Sequence, residues 1–447
     1  MTGVHPSRSG IYRNSFGAHG PRWRDESPVL KDAVVLSQHF KNNGSHAAGG
    51  GKIFHTLQWT PGDSQNDPAA WSEYRGDPLG TDWAIAQLGK TREKPLFLAL
   101  GLFRPHIPWE VPQKWFDLHR LETLKLPKHL KDDLSDAHSH GRERWHQWVT
   151  QNKQWKQFMR GYLASISYVD NELGRLLDAL ENLPKNDNTI VVLWSDHSFH
   201  IGEKKNWKKF TLWNQATRVP CFIHAPGLSK DGLKSQQAVT LTDLYPTLCE
   251  LAGLPIPKQC DGISLVPQLK NPATPKSTPA ITSYQFSKEL EASHAALPLH
   301  QIRQRLRGTL RHTKGPLRIH QSHRRSRTHP RPEAIYQTPP KVTRQTSSSR
   351  PYPLVMGNRN RSFAIIAVGL ELHAGPGFRA SEAEERGLIG ITQRRKKSTS
   401  IVDMTAVAGE HVVEEPTRVQ RGLSEWSSGL QRIASARPAL AENLGDR

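Results

Sequence analysis

One stretch of the chain gathers residue types that handle anions and hard cations. It runs Leu193-Trp194-Ser195-Asp196-His197 and on through Glu203, Lys204, Lys205, Lys208 and Lys209. A carboxylate and an imidazole leave an apolar run together, and lysines follow. Carboxylate oxygens suit a divalent cation, and lysines neutralise an anion. A cation with lysines around it is what a bound phosphate or sulfate requires. The plainer reading is an Asx turn at a strand end with solvated lysines.

Two further segments carry related chemistry. Gly49-Gly50-Gly51-Lys52-Ile53-Phe54-His55 reads as a glycine-rich turn followed by Lys and His. Glycine lets backbone approach an oxyanion, and Lys adds a point charge. It is not a P-loop, because the spacing and the Ser/Thr are missing. Pro105-His106-Ile107-Pro108 sets a histidine between prolines, which restrict its direction. Taken alone, such a residue is more often an ordinary loop histidine than an acid.

The elements that must position these residues are legible in part. Residues 1–80 read as loops with short elements. The short apolar run Lys94–Phe103, followed by prolines, reads as a buried strand. Residues 127–155 read as an irregular or helical insertion. Phe158 to Leu183 has helical apolar spacing, closed by the polar turn that begins at Asn182. Thr189–Ser195 is a β-branched central strand with Asp196-His197 at its carboxyl end. Val219–His224 is another strand, and Thr240–Gly253 a second amphipathic helix. The pattern predicts an α/β fold, in which sites gather at the carboxyl ends of strands.

Composition divides the 447 residues, whose net charge is +20. Residues 291–447 hold 26 Lys+Arg against 13 Asp+Glu, and only Trp426 of the 13 tryptophans. Residues 1–287 are expected to build the folded domain, and residues 288–447 to be a basic, irregular or disordered tail. That tail has no recognisable nucleic-acid motif, so no specific nucleic-acid partner is expected. No apolar run is long enough to span a membrane. Met1–Gly10 carries no apolar leader, and no internal repeat is found. Cys221, Cys249 and Cys260 form neither a disulfide framework nor a zinc motif.

In combination these stretches resemble the sulfatases of the alkaline-phosphatase-like superfamily, nearest to iduronate-2-sulfatase-like members. The matching segments are Gly51–His55, Lys94–Pro108, Tyr168–Leu180, Trp194–His197 through Phe210, Ala216–Pro220 and Gln259–Leu265. They stand in family order over about residues 1–287. The resemblance implies an α/β sandwich with a mixed central sheet flanked by helices. It implies hydrolysis of a sulfate ester on a sulfated small molecule or carbohydrate, with a calcium ion as cofactor. Asp196 and His197 would be metal ligands, and Lys52 and Lys209 would bind sulfate. His55 would stand near the nucleophile, and His106 would protonate the leaving group. Such proteins are often periplasmic, secreted or lysosomal. A phospho- or phosphonate-ester hydrolase of the same superfamily and a non-catalytic remnant remain alternatives.

The departures are specific. The family's nucleophile is a formylglycine made from the cysteine of C-x-P-S-R. Val4-His5-Pro6-Ser7-Arg8 mimics that motif with Val in place of Cys. Thr2-Gly3-Val4-His5-Pro6 matches the Thr-Gly-x-x-Pro that follows the true motif. The cysteine and the first strand, with its aspartate pair, are therefore expected upstream of Met1, leaving the chain inactive as given. Ser198 replaces the usual Gly after Asp-His and is expected to strain the turn. Residues 297–322, read one nucleotide later through suitable codons, give YRYIKYANGSEELYDTQKDPSEFTNL. That string resembles the family's C-terminal strands, so the region from about 288 reads as out-of-frame translation.

Overall fold

The computed structural model describes residues 1–12, 23–54, 67–76, 80–127, 143–183, 188–228, 233–284, 289–293, 318–320, 364–370 and 401–407. Its centre is an eight-stranded sheet. In chain order the strands are β1 (His46–Gly51), β2 (Glu73–Arg75), β3 (Leu96–Gly101), β4 (Thr189–Ser195), β5 (Arg218–His224), β6 (Leu233–Thr240), β7 (Ala364–Leu370) and β8 (Ile401–Val407). Their order across the sheet is β2-β1-β3-β7-β4-β5-β8-β6. The first five in that order run parallel, and β5 is antiparallel to both neighbours, so the sheet is mixed.

Side chains of period two explain why both faces are covered. On β3, Phe97 and Ala99 join one core cluster, and Leu96, Leu98 and Leu100 join another. The first cluster takes Leu36 and Phe40 from helix α1 (Leu36–Asn42). The second takes Ala84 and Leu88 from α2 (Gly80–Gly89), and Val169, Leu173, Leu176 and Leu180 from α3 (Trp155–Glu181). Helix α4 (Leu244–Leu251) joins the first face through Leu244, Leu248 and Leu251. Every side chain of β3 is buried, as a doubly covered parallel strand requires.

The readings of β3, β4, β5, α3 and α4 match the observed elements to within a few residues. The glycine-rich segment differs. Gly49, Gly50 and Gly51 lie in strand β1, not in a turn. Aromatic rings fill the space beside the first two: a Cβ on Gly49 would lie 2.8 Å from Trp71, and one on Gly50 2.6 Å from Trp83. A few short segments of residues 288–447 are also described. Glu289–Ser293, Arg318–His320, β7 and β8 are strands. β7 enters between β3 and β4, and β8 between β5 and β6. Both segments are short runs rich in apolar and β-branched residues, which suits a central strand.

Candidate active site

Register places the candidate residues along one sheet edge. Gly51 pairs with Gly101, Gly101 with Gly369, and Gly369 with Trp194. Lys52, Leu102 and Ser195 therefore follow that row, and Asp196-His197 comes directly after it. Neighbouring strands lie about 4.8 Å apart, so the ends of β3 and β4 stand about 10 Å apart across β7. His106 follows β3 by a short turn. Lys52, His106, Asp196 and His197 are thus all at the carboxyl ends of parallel strands, where α/β sheets form their sites.

Lys52 is held by backbone contact at the strand end. Its amide donates to the Gly101 carbonyl at 2.8 Å. The Gly51 carbonyl accepts from the Tyr74 hydroxyl. A Cβ on Gly101 would sit 1.9 Å from the Lys52 oxygen. Gly51 has φ 74° and a Cβ position 2.1 Å from the Gly101 oxygen, so only glycine fits there. The Lys52 ammonium then lies 5.8 Å from the Phe103 ring centroid.

Phe103 links Lys52 to His106. Its ring centroid is 5.0 Å from that of His106, and the Arg104 guanidinium is 5.1 Å from the Phe103 centroid. Both X–Pro bonds flanking His106, Arg104-Pro105 and Ile107-Pro108, are cis. The His106 amide donates to the Phe103 carbonyl at 3.0 Å, and Nδ1 lies 2.6 Å from the Ile107 carbonyl. A proton on Nδ1 shared with that carbonyl leaves Nε2 as the other working nitrogen. Burial pulls the Arg104 guanidinium below its ordinary value, opposed by Glu110 and Tyr168.

Asp196 is half exposed and accepts the His197 amide at 3.0 Å. The His197 ring is buried, with Nδ1 3.0 Å from the Ser198 carbonyl and Nε2 3.9 Å from the nearer Asp196 oxygen. One carboxylate and one imidazole fit as part of a cation's shell. Two donors fall short of the six to eight oxygens that calcium takes. Among the described residues, no group of three His, Cys, Asp or Glu could hold a metal ion. Ser198 is fully buried, and its amide donates to the Ala216 carbonyl at 2.9 Å. It is not among the positive-φ residues, so it does not take the left-handed conformation that favours glycine.

Strain sits instead in the next turn. His200–Ile201 pairs with Trp207–Lys208, closing a tight hairpin that delivers Lys209. Lys204, Lys205 and Lys208 have φ of 47°, 55° and 67°. Each such residue costs on the order of 1 kcal/mol. Trp155 supports the hairpin from α3, its indole donating to the Ile201 carbonyl at 2.8 Å and its ring filling the space beside Gly202. His200 Nε2 lies 2.7 Å from the Thr211 hydroxyl, tying the hairpin's start to the segment after Lys209. His55 lies outside the described residues. Phe103 and Gly101 belong to no motif of their own, and their role shows only in contacts across the strand ends.

Comparison with known proteins decides the family. The sulfatase family matches residues 13–254, more than half of the chain. The chain belongs to the sulfatase family. Residues 202–307 also match the family described as N-sulphoglucosamine sulphohydrolase, C-terminal. This sulfatase-family chain is 36% identical over 329 residues to a sulfatase of Formosa agariphila, covering 64% of each. It is 28% identical over 350 residues to iduronate 2-sulfatase of Mus musculus, covering 58% of this chain and 60% of that one. It therefore spans about three-fifths of the length of these curated relatives. A solved structure in complex with its substrate D-glucosamine-2-N,6-O-disulfate aligns with TM-score 0.50 and 20% identity, covering 64% of this chain and 72% of that one. That likeness supports the alkaline-phosphatase-like sandwich as the fold.

Proposed function

We propose that the chain carries the substrate-binding and proton-transfer part of a metal-dependent sulfatase acting on a sulfated carbohydrate. The observation that carries this reading is the convergence of Lys52, His106, Asp196 and His197 on one edge of the parallel strands. Lys52 and Lys209 would neutralise the sulfate oxygens. His106 would give a proton through Nε2 to the departing alcohol oxygen as the S–O bond breaks. The net reaction adds water to a sulfate ester and yields the alcohol and hydrogen sulfate. Asp196 and His197 would hold one side of a calcium ion, which when bound polarises the sulfate.

Residues 1–447 hold no C-x-P-S-R motif. A formylglycine needs a cysteine in C-x-P-S-R, and Cys221, Cys249 and Cys260 do not stand in that motif. Cys221 is buried in β5 and Cys249 in α4, and burial pushes the Cys249 thiol up to about 12. A thiol so disposed is a packing residue. Residues 1–447 are therefore expected to bind sulfated sugars and not to cleave them. The test compares them with a version in which a C-x-P-S-R segment and an aspartate pair precede Thr2, in a host that makes formylglycine. Only the second should hydrolyse 4-nitrocatechol sulfate or a sulfated uronide, and Asp196→Ala should abolish that turnover. Turnover by residues 1–447 alone, lost in Asp196→Ala, would show that the nucleophile lies elsewhere.

A further inference from the structure

Phe103 stands where two differently built segments meet. Gly101 ends β3 and pairs with Gly51, so Phe103 leaves the sheet beside the strand end that Lys52 leaves. The Lys52 amide donates to the Gly101 carbonyl at 2.8 Å, which holds the two exits together. Phe103 also opens a four-residue turn that ends at His106, closed by the His106 amide donating to the Phe103 carbonyl at 3.0 Å. Such a turn brings its first and last residues within about 7 Å of each other. Backbone constraints of two kinds thus set one side chain next to both Lys52 and His106.

The contacts of that side chain are those of an aromatic ring. Its centroid lies 5.8 Å from the Lys52 ammonium and 5.0 Å from the His106 ring, whose plane is tilted by 40°. The Arg104 guanidinium lies 5.1 Å from the same centroid. Arg104 is itself tied down, its Nε donating to the Glu110 carbonyl at 3.1 Å. A phenyl face carries the negative part of the ring quadrupole and attracts a cation within about 6 Å. An aliphatic side chain of similar size would fill the space without that attraction. Core packing does not account for the ring either: Phe103 is partly buried and, among the described residues, joins none of the three hydrophobic core clusters. A lysine stem has many rotamers, and restricting them in advance spares that entropy when an anion binds.

We propose that Phe103 is a positioning residue, whose one ring holds the Lys52 ammonium and the His106 imidazole in a fixed relation before a sulfate ester binds. This rests on the roles proposed for Lys52 and His106 and adds the residue that couples them. The test uses the full chain, isotope-labelled at the lysine Cε and histidine Cε1 carbons, with inorganic sulfate as the probe and magnetic resonance as the readout. Lys52→Gln and His106→Gln assign the two signals. Phe103→Leu keeps most of the bulk and removes the ring. It should raise the nanosecond mobility of both labelled groups and weaken sulfate about two- to fivefold, read on the His106 signal. Phe103→Tyr should keep mobility and affinity at their original values. In Lys52→Gln, where Lys209 still serves the sulfate, Phe103→Leu should cost no further affinity. Unchanged mobility in Phe103→Leu would overturn the positioning role. So would an affinity loss that persists in Lys52→Gln, or a Phe103→Tyr chain that behaves like Phe103→Leu. If the unaltered chain binds no sulfate while mobility still rises in Phe103→Leu and not in Phe103→Tyr, the positioning role stands and the sulfate-binding reading of Lys52 fails.

Discussion

Lys52 and Lys209, the two lysines proposed to bind sulfate, are held by opposite means. Lys52 leaves a parallel strand whose register with β3 is continuous over six pairs, and glycines at Gly51 and Gly101 let the two backbones touch. Lys209 leaves a two-pair hairpin whose turn runs through left-handed lysines and leans on Trp155. The first arrangement is fixed by removing side chains, the second by keeping them in a costly conformation. A sheet edge positions a group cheaply because the strand is needed for the core anyway. A hairpin outside the sheet must be anchored by its own contacts.

The largest expected effect breaks the first arrangement. Gly101→Ala puts a methyl 1.9 Å from the Lys52 carbonyl oxygen, where backbone and not a flexible side chain must yield. We expect a loss of about 3 kcal/mol or more in urea unfolding. A loss within about 0.5 kcal/mol, the range of ordinary surface changes, would mean that the two strand ends do not meet as described.

The second effect addresses the hairpin. Trp155→Phe keeps most of the buried ring and deletes the indole N–H that serves the Ile201 carbonyl. Leaving that acceptor unpaired should cost about 1–3 kcal/mol. The same change should loosen Lys209 without moving Lys52. Affinity for a sulfated sugar should therefore fall by more than stability alone explains. Equal affinity at equal folded fraction would show that Lys209 takes its position from somewhere other than the hairpin.

How much of this was readable beforehand follows the same division. Asp196-His197 was legible because Thr189–Ser195 is a β-branched run with few other interpretations. β1 was not, because three glycines read as a turn. What makes them strand residues is Trp71, Tyr74 and Trp83, which lie 20 to 35 positions further on. Phe103 was overlooked because its relation to Lys52 and His106 is a contact across two strand ends. The left-handed lysines leave no sequence signal at all, since lysine is ordinary in turns. The placement of β7 between β3 and β4 was equally hidden, because strand order is set by packing and not by local pattern.

A smaller effect concerns the helix under the hairpin. His119 is buried, with Nε2 2.9 Å from the Ser167 hydroxyl of α3. Burial pulls its pKa below the ordinary 6.5, opposed by the Leu163 carbonyl and aided by Arg160. The unfolded chain therefore takes up the proton first as pH falls. The associated stability is present above about pH 6.5 and is lost as pH drops through that value and the lower native one. The slope contributed is at most about 1.4 kcal/mol per pH unit. His119→Gln should flatten unfolding free energy between pH 7 and 5, and an unaltered slope would place the proton uptake elsewhere. His39 of α1 shifts the same way through burial and serves as the counterpart under the sheet.

The smallest effect is the sharpest control on strain. Lys153 has φ 54° and is exposed, in the turn between the helix Glu143–Gln151 and α3. It shares the backbone cost of the hairpin lysines and lies outside the hairpin. Lys153→Gly removes the Cβ conflict of the left-handed region, and part of that gain is offset by the greater freedom of glycine in the unfolded chain. A net gain of about 0.5–1 kcal/mol is expected, with no change in affinity for any sulfated probe. A similar gain from Lys204→Gly would show that the hairpin turn carries the same backbone cost. If Lys153→Gly instead lowers stability, left-handed lysines in this fold are sustained by local contacts of their own.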